Sequence, residues 1–246
     1  MNYLNIDKIQ KCLDTEFIGR NMVYFKRLDS TSTFATGLLK EGLSSFKTGS
    51  GAHSASLPKN SGTVIIAETQ YRGVGRQKKY WCSPPEGLWF TIILNPDFKK
   101  VQAPLCRFPE FTIISASAVL AALGDIIADN IISPPENTQE TCLKIKWPND
   151  IYYSGRKLAG ILSESENLNS HIYLLIGIGI NVNFTTEKKI FRGLNAISLL
   201  DILGKHVDRD ELLAGILNLF EKRYTFFAET GDFYSIFKTV EKYMIF

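Results

Sequence analysis

The chain has 246 residues, of which 45% are hydrophobic and 22% are charged, and its formal net charge at pH 7 is +3. This length allows one large domain with a buried core. The small net charge argues against a nucleic-acid or anionic-membrane partner, because such proteins carry a concentrated basic face. Four cysteines lie far apart without a CxxC pair, so neither a zinc site nor a disulfide framework is predicted, and a reduced cytoplasmic interior is expected.

The N-terminal part is predicted to hold a strand, a helix and an insertion. Residues 1–17 mix acids and bases and lack an apolar run, so no secretory signal is predicted. The sequence "NMVYF" predicts a strand, and a helix is predicted to begin at "DSTST", residues 29–33, where Asp29 or Ser30 can cap the exposed N–H groups. Residues 41–62 are rich in Gly, Ser and small polar residues, which predicts a flexible surface insertion within the domain.

The apolar runs "TVIIAETQ" and "GLWFTIIL" predict two strands joined by a glycine-containing loop, "YRGVGRQKKYW". The loop matches neither the P-loop pattern nor GxGxxG, because Lys78 stands where the third glycine is needed, and it leads to a strand rather than a helix. Two interpretations stay open. Gly73 and Gly75 let the backbone approach an anion beside the charge of Arg76, or the segment is a solvated basic turn.

The second half predicts a long buried helix, then strands, then a helical tail. "FPEFTIISASAVLAALGDIIADN" has the length and spacing of the helix, "CLKIKW" predicts a short strand, and Ser154-Gly155 is a hairpin signal. "HIYLLIGIGINVN" predicts a central strand covered on both faces, and the tail from Gly193 onward is predicted to be helical, with Asp208 and Glu211 at capping-box spacing. This order favours an α+β domain with a mixed, largely antiparallel sheet flanked by helices.

Polar residues at a strand end are candidates for chemistry. Pro148 must end the "CLKIKW" strand, which leaves Asn149 and Asp150 where side chains reach ligands. The alternative is an ordinary turn beside a buried Trp147. The three histidines are scattered, so neither a His-based triad nor a metal cluster is predicted.

Lys157 is unusual because it interrupts an otherwise apolar strand, "GRKLAGIL". It is either an edge-strand gatekeeper or a charge held for an anion. The period of two predicts that Lys157 shares a face with Ala159 and Ile161, while Gly160 lies on the other face. The similar run "GIGINVN" ends in Asn181 and Asn183, for which tight packing is the alternative to ligand binding.

Taken in order, "DSTST", "AETQYRGVGRQKKYW", "KWPND", "KLAGIL" and "GIGINVN" resemble the motif series of biotin protein ligases, also called holocarboxylase synthetases, from about Asp29 to Asn183. The resemblance implies a catalytic domain related to class II aminoacyl-tRNA synthetases. It implies an enzyme that uses ATP and Mg²⁺ to convert biotin to biotinyl-AMP. The biotin is then transferred to a lysine of the biotin carboxyl carrier domain of acetyl-CoA carboxylase or a related carboxylase.

The resemblance also implies roles for individual residues, with Lys157 and Arg76 as the catalytic cations and Asp150 as a residue that handles Mg²⁺. Biotin is expected to contact Ser30, Thr31, Ser32, Gln70, Gly73, Val74, Gly75, Arg76, Lys157 and Gly160. ATP and the adenylate are expected to contact Arg76, Trp81, Lys146, Asn149, Lys157 and Asn181. The glycine loop is expected to order over the water-sensitive adenylate as a lid.

The chain departs from the family pattern in the glycine loop. Val74 replaces the first arginine of the usual GRGR, Gln77 and Lys78 replace a basic residue and a glycine, and Ser32 stands where asparagine is common. Residues 1–246 are expected to form a single catalytic domain, without an N-terminal helix-turn-helix domain and with the SH3-like C-terminal domain absent or truncated. A homodimer is left open. The rival interpretations are a lipoate ligase of the same superfamily and a module that sequesters biotin or biotinyl-AMP.

Overall fold

The computed structural model describes residues 2–41, 62–96, 108–130, 142–168, 171–187 and 189–246. Residues 42–61 of the predicted insertion lie outside the described residues. The strands are β1 (Met22–Phe25), β2 (Thr63–Ala67), β3 (Leu88–Leu94), β4 (Leu143–Lys146), β5 (Asp150–Tyr153), β6 (Arg156–Leu168), β7 (His171–Ile180) and β8 (Met244–Ile245). The helices are α1 (Ile6–Cys12), α2 (Thr31–Glu41), α3 (Phe108–Asn130), α4 (Leu199–Leu203), α5 (Arg209–Thr230) and α6 (Phe233–Val240).

Within the described residues, the strands form one eight-stranded sheet in the order β1-β2-β3-β7-β6-β5-β4-β8. The β1–β2 and β4–β8 pairs are parallel, and the other neighbouring strands are antiparallel. The predicted α+β class with a mixed, largely antiparallel sheet is therefore confirmed. The prediction of a central strand at "HIYLLIGIGINVN" is also confirmed, because β7 lies between β3 and β6.

Helices cover both faces of the sheet, and the alternation of side chains along the strands explains how. Val64 and Ile66 of β2 join the large core formed with α3 and α5, while Ile65 between them packs against Phe34 and Leu38 of α2. Successive strand residues point to opposite faces, so a strand buried on both sides reads as a continuous apolar run.

The predicted long buried helix is α3. By length and composition its segment Pro109–Asn130 could cross a membrane, but 72% of the apolar window is buried inside the protein. That burial is typical of the core helix of a globular domain. The helix packs against α5, whose first turn is capped by Asp208, since the Asp208 carboxylate accepts from the N–H groups of Asp210 and Glu211.

The C-terminal tail is helical as predicted over α4, α5 and α6, but the prediction is wrong at its end. Met244–Ile245 forms β8, which pairs with β4 at the edge of the sheet. Trp147 then donates its backbone N–H to Ile245 O at 3.0 Å. The idea of a buried Trp147 is also wrong, because this side chain is 43% exposed and its ring lies 6.3 Å from that of Phe246.

A β-bulge in β6 corrects the predicted facing of Lys157. Opposite β5, Tyr152 pairs with Lys157 and Ile151 pairs with Ala159, so Leu158 is an extra residue and both Leu158 and Ala159 enter the core. The bulge places Lys157 on the same face as Gly160, where a Cβ added at Gly160 would lie 3.3 Å from Lys157 Cε. Bulges re-aim side chains in this way beside functional sites. The hairpin predicted at Ser154-Gly155 is present, with φ of 48° and 76°.

Candidate functional site

A pocket of about 490 Å³ brings most of the predicted site residues together. It lies on the face of the sheet that α2 covers, since Ser32 of α2 lies directly above Gly177 of β7. The predicted residues that line it are Ser30, Thr31, Ser32, Gln70, Val74, Gly75, Arg76, Trp81, Asn149, Asp150, Lys157, Gly160 and Asn181. Segments that are distant in sequence thus converge on one cavity.

Two predicted residues do not line this pocket. Gly73 is buried behind its wall, where an added Cβ would lie 2.4 Å from Trp81 O and 2.8 Å from Ser83 Oγ. A side chain therefore has no room at this position. Lys146 is exposed at the end of β4, with its Nζ 5.6 Å from the centre of the Tyr152 ring.

The floor of the pocket consists of glycines on β6 and β7, of which the sequence interpretation assigned only Gly160. Gly160 pairs directly with Gly179 across the two strands. Added Cβ atoms would lie 3.0 Å from the Trp81 ring at Gly160, 2.6 Å from Trp81 Nε1 at Gly179, and 2.7 Å from Ser32 Oγ at Gly177. Glycines within a strand permit such close approach, and this was the signal that could have identified Gly177 and Gly179.

A buried polar cluster forms one part of the pocket, above Gly177. Gln70 Oε1 accepts from the backbone N–H of Thr31 at 2.8 Å and from Thr31 Oγ1 at 3.2 Å. The N–H group belongs to the first turn of α2, where Ser30 precedes the helix and its Oγ lies 3.5 Å from Thr33 N. The first turn of a helix leaves N–H groups without intrahelical partners, and Gln70 satisfies one of them.

The glycine loop folds over the pocket as a narrow hairpin, and we call residues 73–81 the lid. Trp81 N donates to Gly73 O and Gly75 N donates to Lys79 O, each at 2.8 Å. The tip of the lid is fixed by Arg76, whose Nη1 donates to Asn149 Oδ1 at 2.8 Å. The lid therefore closes on the "KWPND" turn through a side chain that the sequence interpretation placed at the phosphate.

Lys157 supplies a cation next to the lid. Its Nζ lies 2.7 Å from Asp150 Oδ2 and 4.8 Å from the centre of the Trp81 ring. Trp81 Nε1 is buried and makes no hydrogen bond to the part of the chain that the structure describes. This corner of the pocket thus combines a cation with the carboxylate that positions it, and the cation suits an anionic ligand.

Asn181 holds the backbone beneath Lys157. Its Nδ2 donates to Ile197 O at 3.0 Å and to Lys157 O at 3.3 Å, and the side chain is buried. The segment before Ile197 then forms the outer wall, since Lys157 N donates to Asn195 O at 2.8 Å. Asn181 therefore shapes the site mainly by orienting main chain.

Two side chains that line the pocket have pKa values raised by their surroundings. Burial raises the pKa of the Cys82 thiol. Burial, together with the charge of Asp150, raises the pKa of Tyr152. Both side chains therefore stay neutral at pH 7 and present polar but uncharged groups to the cavity.

A magnesium site would have a sparse set of protein ligands here. Among the described residues, no group of three or more His, Cys, Asp or Glu side chains could hold a metal ion. Asp150 is the one carboxylate among the described lining residues. Mg²⁺ is commonly bound through one or two carboxylates with phosphates and water, so a single aspartate fits an ion that arrives with a nucleotide.

Curated proteins are similar to this chain in sequence. The chain is 32% identical over 228 residues to the bifunctional ligase/repressor BirA of Bacillus subtilis, covering 90% of this chain and 59% of that protein. It is 32% identical over 172 residues to the biotin–[acetyl-CoA-carboxylase] ligase of Mycobacterium tuberculosis, covering 70% of this chain and 58% of that protein. The chain thus spans 59% and 58% of the lengths of these curated relatives.

Solved structures and a family model agree with these relatives. The biotin protein ligase from Aquifex aeolicus in complex with biotin and ATP superposes with a TM-score of 0.66 and 26% identity, covering 92% of this chain and 79% of that chain. A model of the biotin/lipoate A/B protein ligase family matches residues 24–183. The resemblance to biotin protein ligases seen in the motif series is confirmed. This chain belongs to the biotin/lipoate A/B protein ligase family.

Proposed function

We propose that this chain catalyses ATP-dependent biotinylation of a protein lysine. Biotin is first adenylated to biotinyl-AMP, and the biotinyl group is then transferred to a lysine of a carboxylase carrier domain. The observation that carries the proposal is the single pocket that joins a buried hydroxyl and amide cluster to a cationic corner under a lid. The two parts of the pocket lie side by side along β7, with Ser32 above Gly177 and Trp81 above Gly179. Residues two apart on a strand are separated by about 6.6 Å, so the two parts are neighbours in one cavity.

The hydroxyl and amide cluster suits the ureido end of biotin. That ring carries one carbonyl acceptor and two N–H donors in an otherwise apolar bicycle. Ser30, Thr31 and Gln70 are buried to 2%, 4% and 9% exposure, so a hydrogen bond lost there leaves a polar group without water as a substitute. Such sites discriminate strongly for a ligand that completes the hydrogen bonds.

The cationic corner suits the adenylation step. The biotin carboxylate attacks the α-phosphorus of ATP, a C–O–P bond forms, and pyrophosphate leaves. Because two anions must meet, positive groups are needed where charge develops, and Lys157 and Arg76 provide them beside the same cavity. In the second step the acceptor amine attacks the carbonyl carbon, and AMP leaves with the bonding electrons.

Asp150 is the residue that would hold Mg²⁺ in this proposal, with the phosphates completing the ligand set. Bound Mg²⁺ would neutralise part of the phosphate charge. Asp150 already contacts Lys157 at 2.7 Å, so the same carboxylate would position the cation and hold the metal. The proposed acceptor is the carrier domain of acetyl-CoA carboxylase or a related carboxylase. The proposed location of the protein is the cytoplasm. Among the described residues, Cys12, Cys82 and Cys142 form no disulfide, which supports a reducing compartment.

The test is transfer of biotin to an isolated carrier domain. The protein is incubated with ATP, Mg²⁺, biotin and the domain, and intact-mass spectrometry follows the addition of one biotinyl group. We expect the mass shift with the wild-type domain and none when its acceptor lysine is replaced by arginine. Lipoate replaces biotin in a parallel reaction. A shift with lipoate and none with biotin would overturn the proposal in favour of lipoate ligation, and biotinyl-AMP without transfer would indicate a protein that stores the adenylate.

A further inference from the structure

We propose that Thr91 and Ser83 are positioning residues for the polar end of the pocket, and that Ser83 connects this end to the lid. This inference rests on the proposed function, since it assigns biotin to the polar cluster. Neither residue is among the described residues that line the cavity. They lie one layer behind it, Thr91 on β3 and Ser83 two residues after the lid, with exposures of 0% and 3%. They would therefore act through other side chains.

A continuous network of buried hydrogen bonds joins Thr91 to Ser83. Ser32 Oγ lies 3.2 Å from Thr91 Oγ1, and Thr91 Oγ1 lies 2.8 Å from Thr31 Oγ1. Thr31 Oγ1 in turn contacts Gln70 Oε1 at 3.2 Å. On the other side of Gln70, Nε2 donates to Ser83 Oγ at 2.7 Å, and Ser83 Oγ donates to Trp81 O at 3.2 Å.

The donor and the acceptor of every hydrogen bond in this network follow from the backbone contact that fixes Gln70. Gln70 Oε1 faces Thr31 because it accepts from the backbone N–H of Thr31 at 2.8 Å, so Nε2 must face Ser83. Thr31 gives its hydroxyl proton to Gln70, hence the proton between Thr91 and Thr31 comes from Thr91. Thr91 has no second proton, so Ser32 donates to Thr91.

This order determines what the cavity offers to a ligand. The Gln70 amide carries two N–H hydrogens, of which Ser83 takes one, so the other stays available on a side chain that lines the pocket. Without Ser83 the amide could rotate, and without Thr91 the hydroxyls of Thr31 and Ser32 would lose their shared partner. The two residues thus hold one donor towards a ligand carbonyl and keep the hydroxyl groups in place.

Ser83 also joins substrate binding to the lid. Its hydroxyl accepts from Gln70 and donates to the carbonyl of Trp81, which is the last residue of the lid. Trp81 N donates to Gly73 O at 2.8 Å at the same base. A ligand that shifts the Gln70 amide therefore also shifts the base of the lid, because Ser83 Oγ is hydrogen-bonded to both.

The experiment measures biotin affinity by isothermal titration calorimetry without ATP, on Thr91→Val, Thr91→Ser and Ser83→Ala. Valine matches threonine in shape and lacks the hydroxyl, while serine retains the hydroxyl. We expect Thr91→Val and Ser83→Ala to bind biotin about three- to tenfold more weakly, which is the fold-change for one buried hydrogen bond. Thr91→Ser is expected to bind within about twofold of wild type. Ser83→Ala is also expected to release biotinyl-AMP faster, whereas the KM for ATP stays unchanged in all three variants.

The matched control is Ser117→Ala, which removes an equally buried hydroxyl from α3, where Ser117 Oγ donates to Ile114 O at 2.7 Å. We expect its biotin affinity to equal that of wild type. Wild-type affinity in both Thr91→Val and Ser83→Ala, with wild-type protein binding biotin, would overturn the inference alone. A wild-type protein that binds no biotin would overturn the proposed function and the inference with it. If Thr91→Val does not fold, Ser83→Ala decides the question.

Discussion

Lys157 Nζ contacts Asp150 Oδ2 at 2.7 Å, so the cation of the pocket is held by a carboxylate from the neighbouring strand β5. The two side chains are 27% and 20% exposed, which leaves them accessible to a ligand from the cavity. An ion pair with this exposure contributes little to stability. The pair therefore keeps a charge in position for chemistry rather than holding the fold together.

Replacement of Lys157 by alanine is expected to lower the rate of adenylation strongly while leaving the fold intact. Loss of one group that stabilises developing charge lowers turnover by about 10²- to 10³-fold. The free energy of unfolding should change by less than about 1 kcal/mol. Biotin-dependent ATP–pyrophosphate exchange and thermal unfolding measure the two effects, with exposed Lys205→Ala as the control. Unchanged turnover in Lys157→Ala would show that another group is the essential cation.

Replacement of Arg76 by alanine is expected to open the lid. Arg76 Nη1 donates to Asn149 Oδ1 at 2.8 Å, and a hydrogen bond of a charged group is worth about 1.5 kcal/mol, or roughly tenfold in a rate. We expect biotinyl-AMP to leave the variant about tenfold faster. Filter binding with labelled biotin measures the release rate. Arg72→Ala, just before the lid, is the control, and a normal half-life in Arg76→Ala would refute the lid assignment.

Lys78 is a strained position in the lid, because its φ is +58° and that of Gln77 is +55°. The left-handed conformation costs an L-residue about 1–2 kcal/mol, whereas glycine adopts it freely. We expect Lys78→Gly to stabilise the protein by up to about 1 kcal/mol after the entropic cost of glycine. Lys79→Gly is the matched control, because Lys79 has a φ of −66° and glycine there should destabilise. Urea unfolding of both variants decides, and equal stabilities would contradict the strain.

Some residues of the site could be predicted from the sequence and others could not, for physical reasons. Lys157, Arg76 and Asn149 were identified because charged or polar residues at strand ends and in glycine loops are visible in a sequence. The common face of Lys157 and Gly160 was not predicted, because one extra residue at Leu158 shifts the alternation of β6. Thr91 and Ser83 were missed, because their roles depend on contacts between segments that are distant along the chain.

A buried ion pair between the end of β2 and the start of α5 is expected to control stability. Arg209 Nη1 contacts Glu68 Oε2 at 2.9 Å, and both side chains are 4% exposed. Glu68 also accepts from Leu4 N at 2.6 Å and from the Tyr24 hydroxyl at 3.0 Å. Removal of one member of such a pair leaves a buried charge and costs about 3–5 kcal/mol.

We therefore expect Arg209→Met to lower the free energy of unfolding by about 3–5 kcal/mol in urea titrations. The double variant Arg209→Met/Glu68→Gln should recover part of the loss, because it removes the unpaired charge and keeps an amide oxygen that can accept from Leu4 N and the Tyr24 hydroxyl. Exposed Arg192→Met serves as the control. A double variant less stable than Arg209→Met would contradict the buried-charge explanation.

The Asp201 carboxylate, near the outer wall of the pocket, is expected to contribute stability that is lost in acid. Burial alone would raise the pKa of Asp201, but hydrogen bonds from the Thr186 hydroxyl and from the N–H groups of Thr186 and Ser198 outweigh it and lower this pKa. An unfolded aspartate has a pKa of about 3.9. The stabilisation is therefore complete above about pH 4 and is lost as the pH falls through the lower folded pKa.

Asp201→Asn should accordingly be less stable than wild type at pH 7, and the difference should shrink below about pH 4. Urea unfolding of both proteins between pH 7 and the acid limit measures the difference. Exposed Asp7→Asn gives the baseline. A stability difference that grows on acidification would contradict the sign of the pKa shift.

Biotin-dependent exchange of labelled pyrophosphate into ATP tests the central claim most directly, because it detects adenylation without an acceptor protein. The wild-type protein is predicted to incorporate label into ATP when biotin and Mg²⁺ are present. Omission of biotin or replacement of Lys157 by alanine should remove the signal. Absence of exchange above the biotin-free background in the folded wild-type protein would contradict the assignment of this pocket to biotin adenylation.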